Sequence, residues 1–293
     1  MFKILIWVLR ALAHLPLWLL YFLSNLLYYT VYYVVRYRRK VVRKNLIGSF
    51  PDKNSAEILT VEKKFYHYFC DLIVETIYIT NITEKEFLSR VEYRNLDLIT
   101  SFYADKKSVM MMTAHYCNWE WLSSLSLVLP SEGPMEGIYK ELSNKKFDKF
   151  MFELREKFGG KNIENKILFK TMLKNRQNSK YSTYCMISDQ RPAPGSSRHW
   201  LQFLNQDTSV LIGTEQLARK FNYPVVFLDI KRPKRGYYVC EFVMISENPQ
   251  LEAENEITRK FMEQLEKKIM DKPEFWLWTH NRWKHKRKKE FTI

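Results

Sequence analysis

Residues 108 to 127 read SVMMMTAHYCNWEWLSSLSL, an apolar run that ends at His115, with Cys117, Asn118 and Glu120 close behind. Imidazole can take up and return a proton near neutral pH, and a carboxylate beside it can fix its tautomer and stabilise its charged form. On a regular helix, residues five apart point about 140° away from each other, so this pair meets only across a turn. Asn118 suits the cap of a helix from Trp119 to Leu129, with Glu120 in the first turn where the helix dipole favours an ionised acid. Folded back in this way, Glu120 would hold one imidazole nitrogen and leave the other as a base. The same spacing also fits a capped strand end with no chemistry in it. A different mechanism would make Cys117 the nucleophile and His115 its base, although residues two apart rarely align for such a transfer.

The elements that must carry these groups follow from the hydrophobic pattern. Val109 to Thr113 reads as a strand buried on both faces, as in parallel sheets covered by helices, and similar runs occupy Tyr184–Ser188, Val225–Ile230 and Tyr237–Ile245. Helical patterns lie at 144–158, 165–175, 208–221 and 252–270, and an earlier one runs from Ile58 to about Ile79 behind an Asn54/Glu57 capping box. Strands alternating with helices imply an α/β fold, a central mostly parallel or mixed sheet flanked by helices. Active groups of open α/β sheets gather at the carboxyl ends of strands. His115 ends one strand, Asp189 and Gln190 follow another, and both sets can reach one crevice.

Charge and composition narrow the function. The 293 residues carry a net charge of +15, which draws a surface to phosphates, anionic membranes or acidic proteins. Cys70, Cys117, Cys185 and Cys240 form no C-x-x-C pair, which suits reduced thiols and neither a disulfide frame nor a metal site. No glycine-rich nucleotide loop occurs. Ala11 to Val35 contains no Lys, Arg, Asp or Glu and is long enough for a membrane-crossing or membrane-anchoring helix, with tyrosines crowding its carboxyl end. A helix hairpin broken at Pro16 is the alternative. Lys3 and Arg10 precede the segment, whereas Arg36, Arg38, Arg39, Lys40, Arg43 and Lys44 follow it. The heavier basic flank faces the cytoplasm. The expected organisation is an anchor with a basic collar over 1–40 and a cytoplasmic-facing catalytic domain over 41–293 with a basic tail of Lys284, Lys286, Arg287, Lys288 and Lys289.

Five blocks in order, "RKNLIGSFPD", "TAHYCNWE", "IYKELSNKKFDKFMFELREKFG", "ISDQRPAPGSSRHWLQFLNQDTSVLIGTEQLARKFNYPVV" and "WLWTHNRWK", resemble the bacterial lipid A biosynthesis acyltransferases, the lauroyl and myristoyl transferase family with its H-x-x-x-x-D/E motif. The resemblance spans nearly the whole chain. It departs at Cys117, where the family usually has glycine, and at "FLN", where the family usually has Phe-Phe-Gly or Phe-Leu-Gly. It implies a membrane-bound acyltransferase of the bacterial inner membrane, catalytic side to the cytoplasm, that needs no cofactor and no metal. Its donor would be an acyl thioester, on acyl carrier protein or on coenzyme A, and its acceptor a lipid hydroxyl. His115 and Glu120 would be the catalytic pair, with Asn118 supporting the loop. Lys140, Arg155, Arg191 and Arg198 would bind phosphates or the donor, and Asp189 would buttress His115 or bind the substrate. His280 and Arg282 would alternate with Trp276 and Trp278 on one face of an extended segment, toward the site or toward lipid headgroups. The ordered blocks speak for lipid, not nucleic acid, as the partner of the charge; acylation of an aminolipid or lysophospholipid, or a non-catalytic tethered binding protein, are the competing readings. Acyl length and oligomeric state have no signature in the sequence.

Overall fold

The computed structural model describes residues 2–193, 195 and 199–287. In chain order, helices α1 (Phe2–Leu12), α2 (Leu17–Tyr29), α3 (Arg39–Ser49) and α4 (Ser55–Ile79) precede the first strand. The body follows as α5 (Glu84–Leu88), β1 (Val91–Arg94), α6 (Asp97–Ala104), β2 (Val109–Thr113), a 3-10 helix Trp119–Leu127, β3 (Met135–Tyr139), α7 (Lys145–Glu156), β4 (Lys161–Glu164), α8 (Leu168–Gln177) and β5 (Thr183–Ile187). It closes with β6 (His199–Phe203), β7 (Gln206–Val210), α9 (Gly213–Phe221), β8 (Val225–Lys234), β9 (Tyr237–Ser246) and α10 (Glu256–Asp271).

Seven strands form the central sheet in the order β1-β9-β8-β2-β5-β3-β4. Every neighbouring pair is parallel except the β8/β9 hairpin. The α/β fold with a mostly parallel sheet between helices is therefore observed. β2 lies at its centre and all five of its residues are buried, which explains its unbroken apolar run. The edge strands β1 and β4, and β3, are short and carry polar residues, so their pattern is too weak to mark them in advance.

Several expected boundaries move. Residues 208–210, read as the start of a helix, belong instead to β7, which pairs with β6 in a separate two-stranded ribbon. Its turn places Leu204 at φ 50° and Asn205 at φ 58°. Tight hairpin turns favour such left-handed pairs, and this explains glycine in the related "FLN" position. The helix after Asn118 is 3-10 rather than α: Ser123 and Ser124 each bond back to the carbonyl three residues earlier, at 3.0 and 2.8 Å, which competes with α-helical pairing. The capping box at Asn54 forms, with Asn54 N–H donating to Glu57 Oε2 at 2.8 Å and Asn54 Oδ1 accepting from the main chain of Ala56 and Glu57.

The amino-terminal apolar segment is not one continuous helix. It breaks between α1 and α2, and Pro16, extended at φ −62°, ψ 147°, opens α2, as proline does where a helix begins. From Leu17 the helix runs on through a π turn to Val34, 18 residues of mean hydropathy 1.2, long and apolar enough by length and composition to cross a membrane. It packs along α4, which in turn packs on the core.

Candidate active site

β2 and β5 are parallel neighbours with Thr113 opposite Ile187. His115 and Asp189 each lie two residues beyond that pair, so the same step off adjacent strands brings them together. His115 Nδ1 is 2.8 Å from Asp189 Oδ1, and the Trp276 indole N–H donates to Asp189 Oδ2 at 2.8 Å. Asp189 is buried. Burial alone would raise its carboxyl pKa, but the imidazole's charge, its hydrogen bond and the Trp276 donor together hold it below the ordinary value. A carboxylate on Nδ1 fixes the proton there and leaves the Nε2 lone pair available. The Gln190 amide nitrogen stands 3.3 Å from Nε2.

Glu120 is differently engaged from the sequence expectation. His115 and Glu120 share no hydrogen bond among the described residues. Arg155 from the last turn of α7 forks onto the carboxylate at 2.8 and 2.6 Å, and the Trp119 indole N–H donates to it at 3.0 Å. Burial pushes the Glu120 carboxyl up, yet the Arg155 charge and hydrogen bonds outweigh that and hold it ionised, with a smaller through-space contribution from His115. The pair that orients the imidazole is thus His115–Asp189. Glu120 bonds to Arg155 because the 3-10 turn aims it across the crevice toward α7. Asn118 caps that turn, accepting from Glu120 N–H at 3.2 Å, and its amide donates to buried Glu75 at 2.8 Å.

A cavity of about 530 Å³ opens between these groups. His115, Glu120 and Arg155 line one part of it, and Leu122, Met135, Met151 and Ile187 line another. A cavity of this size, lined by acid–base groups and by apolar side chains, suits a substrate with a polar reacting centre and a hydrocarbon part. A sequence model of the bacterial lipid A biosynthesis acyltransferases matches residues 1–285. The chain belongs to this family. It is an acyltransferase of lipid A biosynthesis type, and no curated protein matches it.

The acyltransferase's ordered blocks turn out to be joined in space. Asn45 of "RKNLIGSFPD" donates to the carbonyls of Trp278 and His280 at 3.0 and 2.8 Å, so the first block clasps the last. The last block in turn braces the loop that carries His115: Leu277 N–H donates to His115 O and Cys117 N–H to Phe275 O, both at 3.0 Å. Trp276 and Trp278 are buried with ring centroids 4.7 Å apart. Their segment folds in turns, with Trp278 N–H bonded to Trp276 O and Arg282 N–H to His280 O. It is not extended as expected, because main-chain bonds two and three residues apart, including His280 N–H to Leu277 O, close it into turns.

The remaining expected residues divide. Lys140 lines the same cavity and is exposed. Arg155 also lines it, but its fork is taken up by Glu120, which leaves it poorly placed to grip a phosphate. Arg282 is buried; its Nη2 donates to Ser209 O at 2.6 Å, while its Nε and Nη1, like Arg191 Nε and His280 Nε2, find no partner among the described residues. Burial, with neighbouring Arg282 and Arg191 adding to it against Asp189, lowers the His280 pKa to about 4, so this imidazole is neutral at pH 7. Arg198 and the tail residues Lys288 and Lys289 lie outside the described residues.

Cys117 is not arranged for nucleophilic attack. It is fully buried, and burial pushes its thiol well above the ordinary range despite Lys268 and Arg232 nearby. It stands at φ 52°, the left-handed conformation that glycine adopts without strain, which gives a backbone reason for the family's usual glycine. Gln190, expected with Asp189 at the strand end, does reach the His115 crevice. Sequence reasoning missed Trp276 as the Asp189 partner and Glu75 beneath Asn118.

Proposed function

We propose that the enzyme moves a fatty acyl chain from a thioester donor to a hydroxyl of a lipid A precursor, with His115 as general base. The observation that carries the reading is the His115–Asp189 pair, 2.8 Å apart, at the wall of the part-apolar cavity. His115 Nε2 takes the acceptor's hydroxyl proton as that oxygen bonds to the thioester carbonyl carbon. The tetrahedral intermediate then collapses, the C–S bond breaks, and the leaving thiolate recovers the proton from the imidazolium. Asp189 stabilises that imidazolium and Trp276 holds Asp189 in place. Glu120 acts through Arg155, shaping the opposite wall and keeping negative charge near the ring.

The unpartnered N–H groups of Arg191 and Arg282 beside Asp189 suit phosphate oxygens of the acceptor or donor, since a guanidinium can fork onto them, and Lys140 supplies a second cation at the cavity. An acyl carrier protein, being acidic, is the donor that the +15 chain favours; a coenzyme A thioester would use the same cations. The apolar helix and the basic flank after it support work at the cytoplasmic face of the inner membrane. His115→Ala should abolish acceptor-dependent thiol release from an acyl thioester while the melting temperature and membrane attachment hold. Retained transfer would sink the mechanism. Mass spectrometry of lipid A and total lipids from cells with and without the gene identifies the acceptor, and a change confined to another lipid class would move the reading to an aminolipid or lysophospholipid.

A further inference from the structure

The two faces of the Leu17–Val34 helix carry opposite information. Inward, it is tied along α4 by polar bonds spaced down its length. The Tyr21 hydroxyl donates to Glu75 at 2.7 Å, the Ser24 hydroxyl to Asp71 at 2.7 Å, and the Tyr32 hydroxyl to Glu62 at 2.9 Å. Tyr28 stacks on His67 with centroids 3.5 Å apart. As the helix advances from 21 to 32, its partners recede from 75 to 62, so the two helices run antiparallel and side by side. The carboxylates beneath are buried and held by charge from the body: Arg232 and Arg235 on Asp71, Arg232 on Glu75, Arg39 and Arg43 on Glu62. Gly236, at φ 76° in the β8/β9 turn, lets Tyr21 and Leu17 approach so closely that a Cβ there would overlap the Tyr21 hydroxyl.

Outward, Trp18, Phe22, Leu26, Tyr29 and Tyr33 form one stripe at helical spacing, each between 46 and 71 % exposed. Trp7 and Val8 of α1, and Val34, Val35 and Tyr37, are exposed as well. The helix contains no charge, and exposed Arg36, Arg38, Lys40 and Lys44 follow at its end. Exposed aromatics with a basic border are what a headgroup layer of anionic lipid accommodates.

We propose that α1 and α2 lie in the plane of an anionic membrane interface and do not cross it. A crossing would carry α4 into the hydrocarbon alongside α2, with Lys63, Lys64 and the arginine–carboxylate clusters at membrane depth. Each such charge is costly there. A crossing with α2 alone would strip three buried carboxylates of their hydroxyl donors. Lying flat keeps every one of these bonds and buries the stripe. The basic collar then touches the same leaflet as the stripe.

The test uses the full chain with single nitroxide-labelled cysteines at positions 18, 22, 26, 29 and 33, on vesicles of phosphatidylglycerol and of phosphatidylcholine. The four native cysteines are buried and protected from labelling. All five labels are expected at one shallow depth, about 5–10 Å below the headgroups, with binding to the anionic vesicles the stronger. The double variant Phe22→Glu, Leu26→Glu should partition to anionic vesicles at least about ten-fold less. Depths that sweep from one interface through the bilayer centre to the other would overturn the proposal. So would labels shielded from lipid by a second copy or another protein, or parental partitioning of the double variant. The inference rests on the lipid-acceptor reading only for the choice of vesicle; label depth needs no activity, so failure of one is distinguishable from failure of the other.

Discussion

Asp189→Asn is the substitution that separates a positioning carboxylate from a merely structural one. The amide keeps the carboxylate's shape, and its oxygen can still accept from the Trp276 indole, which donates to Oδ2 at 2.8 Å in the parent. Its NH₂ then faces His115 Nδ1 and donates to it. The ring proton is forced to Nε2, and the base is lost. The imidazolium formed during transfer also loses a negative charge 2.8 Å away. General base catalysis contributes about 10²–10⁴, and a wrong tautomer in a serine-protease triad costs about 10⁴. We expect kcat to fall by about 10³–10⁴, or about 4–5.5 kcal/mol in the barrier, with KM for the thioester within about three-fold. The assay is continuous thiol release at saturating acceptor, across pH, with melting at pH 7 as the check on folding. A kcat within ten-fold of the parent, with the acid limb of the pH–rate profile unmoved, would refute the role given to Asp189.

Glu120→Gln should lower stability by about 2 kcal/mol, because it leaves the Arg155 guanidinium without its counter-charge, and no more than that because water reaches the guanidinium, which is 32 % exposed. Adding Arg155→Met should recover part of this in urea melts without restoring transfer. Cys117→Gly should keep acyl transfer within about two-fold of the parent and melt higher than Cys117→Ala. The left-handed φ of 52° costs a residue with a Cβ about 1 kcal/mol, so a glycine variant less stable than the alanine one would contradict the backbone argument. His280 has a folded pKa lowered to about 4, so its contribution to stability is present above the unfolded value near 6.5 and is lost as pH falls through the window below it. From pH 7 to pH 5 the loss is about 2 kcal/mol, and His280→Gln should flatten that part of the stability curve in urea titrations.

What was legible in the sequence follows burial. β2, β5, β8 and β9 are central enough to show as apolar runs, and β2 and β5 alone place His115 and Asp189 at one edge. β1, β3 and β4 hold Glu92, Glu136 and Lys161 within a few residues of length, so no run or clean alternation marks them. Glu120's partner could not be read from a five-residue spacing. It depends on a 3-10 turn that two serines favour and on an arginine 35 positions away. Trp276 reaches Asp189 across 87 positions, a contact that only the folded clasp of first and last blocks creates. The inner face of α2 was hidden for another reason. Tyr21, Ser24 and Tyr32 pass as ordinary members of an apolar helix until the carboxylates they bind are seen.

Glu75 gives that inner face a wider meaning. One of its oxygens receives the Tyr21 hydroxyl, and the other receives the Asn118 amide, at 2.7 and 2.8 Å. Asn118 in turn caps the turn that carries Glu120. The segment that looks like a detachable tether is therefore linked to the crevice, three hydrogen bonds from Glu120 by way of Glu75 and Asn118. A fragment trimmed at residue 36 to make the enzyme soluble would leave Glu62, Asp71 and Glu75 short of their hydroxyl donors and slacken the turn that holds Glu120. The helix that carries the exposed aromatic stripe is also the one whose hydroxyls steady the turn that holds Glu120.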